Sequence, residues 1–241
     1  MKNQKYNIKN LKNHIYKYDL DKIADINLEE QAKKWLDTEK KRINNLKIYE
    51  NQLYSLGKNF IGGIDEAGRG PLVGPVVSAC VILPKDIFIP DINDSKKLTE
   101  SKRELLYEVI KEKSIAYGVG IVENEIIDKI NILNATYKAM QIAISKISHK
   151  IDYLLVDAIY IPNIDIDQKP IIKGDQKSIS IAAASIIAKV ERDNIMKKYH
   201  QVYPLYNFEK NKGYGTKEHI EALKKYGPCP IHRKTFIKNL I

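Results

Sequence analysis

Two rhythms of apolar and polar residues run along the chain, and one gives way to the other near residue 58. In "DINLEEQAKKWLDTEKKRINNLKIYENQLYSLG", Leu28, Ala32, Trp35, Leu36, Ile43, Leu46, Ile48 and Leu53 fall at mostly helical spacings. The pattern predicts one or two helices, with Asn27 or Asp25 as N-cap and Gly57 just past the end. With no proline and Gly57 as its only glycine, segment 1–58 reads as a helical N-terminal extension. It either packs on the body or serves as a nucleic-acid-binding arm.

From Phe60 short apolar runs take over. "NFIGGID", "VGPVVSACVILP", "SIAYGVGIV", "DYLLVDA" and "KPIIKG" predict strands. The short Gly/Pro-rich link after the first implies an antiparallel pair or a strand that bends sharply. "KLTESKRELLYEVIKEK" predicts a helix capped by Thr99, with Leu105, Leu106, Val109 and Ile110 on its apolar face. "NEIIDKINILNATYKAMQIAISKI" predicts a longer helix or a helix pair. "SIAAASIIAKVERDNIMKKYHQV" predicts a strongly apolar helix burying Ile181, Ser185, Ile186 and Val190. Strands gathered early and then alternating with helices imply an α/β domain over 59–241, a mixed β-sheet flanked by helices.

Composition narrows the class. The 241 residues are 44% hydrophobic and 29% charged, ordinary for a soluble globular chain, and the net charge of +10 favours a polyanionic partner such as nucleic acid. Cys80 and Cys229 stand far apart with no CxxC or Cys/His cluster, which argues against a disulfide framework or structural zinc. The N-terminus lacks the apolar core of a secretory signal, and no apolar run is long enough to span a membrane. The expected species is a monomer in the cytoplasm.

The candidate chemistry is acidic. Asp65 follows "FIGGI" and stands at that strand's end or just beyond it; Asp157 ends "YLLVDA", and Asp175 follows "IIKGD". Acids at the ends of neighbouring strands converge where open α/β sheets bind ligands. Each alone reads more readily as a turn residue or a helix cap than as a ligand. Together with Glu66 they would repel at several kcal/mol per pair at ~4 Å, a cost that a divalent cation removes. All-oxygen ligands point to Mg2+ or Mn2+, and two such ions would suit metal-assisted phosphodiester hydrolysis.

"GIDEAGRGPLVGPVV" resembles the signature of type 2 ribonucleases H, bacterial ribonuclease HII in particular. The similarity continues in order through "DSKKLTESKRE", "LLVDA", "KGDQKSISIAAASIIAKVERD" and "NKGYGTKEHIEALKKYGPCPIHRKTF", about residues 60–236. It implies a ribonuclease H-like fold and cutting of the RNA strand of RNA–DNA hybrids. It also implies incision 5′ of a single ribonucleotide in duplex DNA, as in ribonucleotide repair, leaving 3′-hydroxyl and 5′-phosphate ends. The family's metal site falls on Asp65, Glu66, Asp157 and Asp175, with Mn2+ or Mg2+ as cofactor.

By the same resemblance, Gly68, Arg69 and Gly70 contact the ribonucleotide's 2′-hydroxyl with main-chain groups. Tyr214 stacks on the deoxyribose that follows. Read from the residues alone, the first favours a tight turn needing positive φ, and the second, one of 15 tyrosines, a buried ring. Lys96, Lys97, Lys177 and Arg233 are candidate phosphate contacts, and His219 and His232 suit structural or phosphate-facing roles better than catalysis. The alternatives are a ribonuclease HIII-like nuclease acting only on longer hybrids, or a non-catalytic hybrid-binding protein. Arg69 and Tyr214 favour the HII type over the first, and the intact acids oppose the second.

Overall fold

Ile61–Ala67 forms strand β1 and Val76–Ile82 forms β2. They pair antiparallel, with Asp65 opposite Ala79 and Glu66 opposite Ser78. The computed structural model describes residues 5–17 and 27–240. Ala116–Val122 (β3) adds antiparallel to β2; Tyr153–Asp157 (β4) lies parallel to β1, and Gln168–Ile171 (β5) parallel to β4. The order β3-β2-β1-β4-β5 is the mixed sheet that the apolar runs predict. All of β2 is buried, with Ala79 and Val81 in one apolar cluster and Cys80 and Ile82 in another. That is the signature of a sheet covered on both faces.

The covering helices follow the sequence with two adjustments. Helix α4 (Glu100–Lys113) begins as predicted, Thr99 Oγ1 accepting from the Lys102 amide at 3.3 Å. Leu106, Val109 and Ile110 are buried, but Leu105, expected with them, is exposed. Helix α5 (Asn124–Ser145) is broken at Asn131, whose φ of 65° leaves the helical range. Asn131 Oδ1 takes the amides of Leu133 and Asn134 at 3.0 and 3.1 Å, capping a second helical segment. Helix α6 (Ile179–Val202) buries the predicted Ile181, Ser185, Ile186 and Val190. Ala182, Ala183 and Ile187 are buried as well, because α6 is enclosed on several sides.

The extension folds as α1 (Ile8–Lys17), α2 (Glu30–Leu46) and α3 (Ile48–Ser55). Helix α2 has Glu29 at its cap position and no side-chain cap, so Asn27 does not play that part; Asp25 lies outside the described residues. Gly57 ends α3 as predicted: its φ is +81°, and the amides of Gly57 and Lys58 close onto the carbonyls of Tyr54 and Leu53 at 3.1 Å each. Leu11, Ile15, Ala32, Leu36, Ile43 and Leu46 share the cluster of α4 and α6. The loop after β2 is held by polar contacts as well. Asp91 takes Lys12 and the Tyr16 hydroxyl at 2.9 Å each, Glu39 takes the Asp91 amide at 2.6 Å, and Arg42 donates to the Ile92 carbonyl at 2.8 Å. These described parts of the extension therefore pack on the body.

Beyond α6 come the short α7 (Phe208–Asn211), α8 (Lys217–Tyr226) and α9 (Lys234–Ile237). Among the described residues no helix is long and apolar enough to cross a membrane.

Candidate active site

Parallel pairing sets Ile64 level with Val156, so Asp65 and Asp157, the next residues, emerge side by side at the carboxyl ends of β1 and β4. Strand β1 runs on to Ala67, so Asp65 and Glu66 lie within its last turn of pleat and not beyond it. Asp175 occupies a 3-10 turn, Gly174–Gln176, between β5 and α6. The Gly174 amide donates to Asp157 Oδ1 at 2.7 Å, fastening that turn to the end of β4. Close packing holds β1 to the start of α6: a Cβ on Gly63 would stand 2.1 Å from the Ser180 carbonyl carbon, so only glycine fits there.

The acids sense one another. Burial, then Glu66 and Asp157, push the Asp65 carboxyl well above the usual carboxylate range. Burial also raises Glu66, with Asp157 adding to it and Arg69 opposing. Asp175 is pushed up to about 6 by burial, Asp94 and Asp157. Burial works against the Lys96 ammonium, yet Asp65, Asp175, Asp94 and Asp157 hold its pKa above the usual lysine range. Among the described residues no three carboxylate, imidazole or thiol groups already stand together at metal-binding spacing. In donor type and charge the four acids fit a hard divalent cation, and their mutual repulsion is what such a cation relieves.

Two polar neighbours were not assigned to the site from sequence, although Ser185 was expected to be buried on its helix. Asp94 is buried, caps the Ser95–Lys97 turn through the Lys96 amide at 2.9 Å, and takes Gln176 Nε2 at 3.3 Å. Ser185 lies on α6 with its Oγ 2.9 Å from Ser95 Oγ. Neither follows an apolar strand, so the rule that finds the other acids passes over them.

Beside the acids, Glu66, Gly68, Arg69, Gly70, Lys96 and Tyr214 line a cavity of about 270 Å³. Tyr214 is exposed, and a Cβ on Gly70 would lie 3.8 Å from its ring, so loop and ring form two walls of one space. Gly68 has φ +98°, and a Cβ there would meet Arg192 Nε at 2.2 Å. Arg69 reaches Glu66 Oε1 at 3.4 Å.

Arg233, expected at a phosphate, is fully buried. Its guanidinium donates to the carbonyls of Gly68, Arg69, Pro71 and Gly74 at 2.6 to 3.1 Å, which makes it the staple of the glycine-rich loop and withdraws it from the surface. Arg192, missed from sequence, does the same for Val73, Pro75 and Lys212. Burial lowers Arg192 to about 10 and Arg233 to about 9, so both stay charged at neutral pH behind the loop. The other cations expected at phosphate, Lys96, Lys97 and Lys177, are exposed. Lys97 and Lys177 share a second cavity, about 470 Å³, with Arg42, Asn45 and Tyr49 of the extension. His219 and His232 are both buried and touch each other, away from any surface that phosphate could reach.

The family model described as Ribonuclease HII matches residues 62–239. A Ribonuclease HII of Caldanaerobacter subterraneus subsp. tengcongensis is 65% identical over 238 residues, covering 99% of each chain. A Ribonuclease HII of Clostridioides difficile is 61% identical over 203 residues, 84% of this chain and 80% of the other. Among solved structures, the ribonuclease H2 of Pyrococcus horikoshii OT3 superposes with a TM-score of 0.61 at 28% identity, covering 75% of this chain and 96% of that one.

Proposed function

The chain belongs to the ribonuclease HII family and is an endoribonuclease, and from that premise we propose that it cuts the RNA strand of RNA–DNA hybrids and incises duplex DNA 5′ of a single embedded ribonucleotide. Asp65, Glu66, Asp157 and Asp175 would hold the divalent ions, Mn2+ or Mg2+, which when bound would supply water activation and charge stabilisation for phosphodiester hydrolysis. The ends released are a 3′-hydroxyl and a 5′-phosphate.

The observation that carries this reading is the cavity beside the acids, walled by Gly68–Gly70 on one side and Tyr214 on the other. A main-chain wall offers both donors and acceptors to a 2′-hydroxyl, the group that separates RNA from DNA. An exposed ring offers a stacking face to the next sugar. Lys96 attracts the backbone from the acid side, and Lys97 and Lys177 prolong the basic track along a cavity whose other wall is the extension, making the extension a substrate-binding arm that is docked rather than free.

Tyr214→Ala is the test. The variant should lose about tenfold or more in kcat/KM on a duplex with one embedded ribonucleotide, and much less on a long hybrid, since a stacked ring contributes ~1–3 kcal/mol. Equal losses on both substrates would refute the junction role.

A further inference from the structure

The peptide carbonyl of Tyr214 accepts a hydrogen bond from His219 Nδ1 at 2.8 Å. A carbonyl only accepts, so Nδ1 carries the proton, and Nε2 of the neutral ring is left as an acceptor. That Nε2 lies 3.2 Å from Nε2 of His232. His232 must therefore carry its own proton on Nε2, which leaves its Nδ1 to accept. The Cys229 amide at 3.0 Å and the Cys229 thiol at 3.1 Å both meet that atom. A proton on His232 Nδ1, aimed at the Cys229 carbonyl 3.2 Å away, would instead leave two bare Nε2 lone pairs face to face. Each ring's tautomer is fixed by its neighbour, and Tyr206 and Phe208 close round both imidazoles.

The far end of this relay is attached to the other wall of the substrate cavity. Val73 bridges His232, the Gly74 amide donates to the Ile231 carbonyl at 3.0 Å, and the Arg233 amide donates to Leu72 at 2.9 Å. Arg233 is also the residue that staples Gly68, Arg69 and Pro71. Leu72 meets Gly213 directly at 2.9 Å, but that bond stops one residue short of Tyr214.

We infer that the His219–His232 pair is a positioning device: it fixes the Tyr214 peptide relative to the Gly68–Gly70 loop and so sets how strictly the enzyme demands a ribonucleotide followed by a deoxyribonucleotide. The inference rests on the reading of Tyr214 given above. Neither histidine touches substrate. Their effect is on the spacing of the two walls, one of which faces the ribose and the other the sugar beyond it.

His232→Phe keeps a ring in the same space but leaves His219 Nε2 without a donor. His232→Gln can restore one, and His219→Asn keeps a donor for the Tyr214 carbonyl while cutting the link to His232. The measurement is the ratio of kcat/KM on the one-ribonucleotide duplex to that on a long hybrid, with Tyr214→Ala alongside and folding checked by thermal melting. In His232→Phe and in His219→Asn the ratio should fall about tenfold, the scale of one buried hydrogen bond, and His232→Gln should recover most of it. If Tyr214→Ala lowers the ratio while folded His232→Phe and His219→Asn leave it unchanged, the pair is structural only and the inference is wrong. If Tyr214→Ala leaves the ratio unchanged, the reading of Tyr214 has failed and takes the inference with it. If His232→Phe does not fold, His219→Asn decides.

Discussion

At the scale of single residues, burial sets the behaviour of the charged groups. Asp65, Asp157 and Asp175 stand out as candidates in the sequence because an apolar run precedes each, and Glu66 because it adjoins Asp65; β1 and β4 lie side by side, and Asp175 follows in the turn after β5. Arg233 could not be read correctly. A cation in a Lys-rich tail looks like surface, and only the structure shows a Gly/Pro loop whose carbonyls need its donors. His232 makes a separate prediction. Burial and the neighbouring His219 push its imidazole down from 6.5 to about 4. Between those values the unfolded chain binds the extra proton, so the neutral buried ring contributes fully above about pH 6.5 and progressively less as pH falls toward 4. Each unit of depression corresponds to about 1.4 kcal/mol. The melting midpoint should drop between about pH 7 and pH 5, and His232→Gln should make that drop shallower; parallel curves would mean that another group drives the acid loss.

At the scale of elements, α6 organises the site, and its beginning is held by a residue of the extension. Glu50 is almost fully buried, and its Oε1 accepts from Ser178 Oγ at 2.5 Å and from the Ser180 amide at 3.0 Å, while Oε2 has no partner. Burial raises its carboxyl above the usual range, and the bonds from Ser178 and Ser180 offset part of that. These contacts secure the helix start between the Asp175 turn and Gly63 of β1. Glu50→Ala should cost about 1–3 kcal/mol in urea unfolding, with Glu50→Gln milder because it keeps an acceptor. A neutral Glu50→Ala would show that α6 needs no anchor from the extension. Strands, the start of α4 and the end of α3 were legible because short apolar runs, Thr99 and Gly57 are local signals. Two alternatives were left open: whether 124–145 is one helix or a pair, which Asn131 decides by leaving the helical range and capping Leu133 and Asn134, and whether α1–α3 dock on the body, which depends on what lies opposite in space.

At the scale of the whole molecule, the net charge of +10 and the placement of the lysines favour a polyanion running past the acids. Arg42, Asn45 and Tyr49 of the extension line one cavity with Lys97 and Lys177. Removing Lys97 and Lys177 together by alanine substitution should weaken binding to hybrid and to embedded-ribonucleotide duplex alike. The slope of log affinity against log salt should shrink by about 1–2, one for each phosphate no longer neutralised. An unchanged slope would take both lysines, and the cavity they line, out of the substrate path.

The central claim is that four acids and a sugar-reading cavity act together on one phosphodiester. It is tested most directly by incubating a duplex holding one embedded ribonucleotide with the protein and Mn2+ or Mg2+, and mapping the cut to the nucleotide. The account predicts a single incision on the 5′ side of the ribonucleotide, absent without divalent metal. Asp65→Asn should still bind the duplex but lose on the order of a hundredfold or more in rate. A duplex left intact under both metals, or one cut with equal speed by Asp65→Asn, would contradict it.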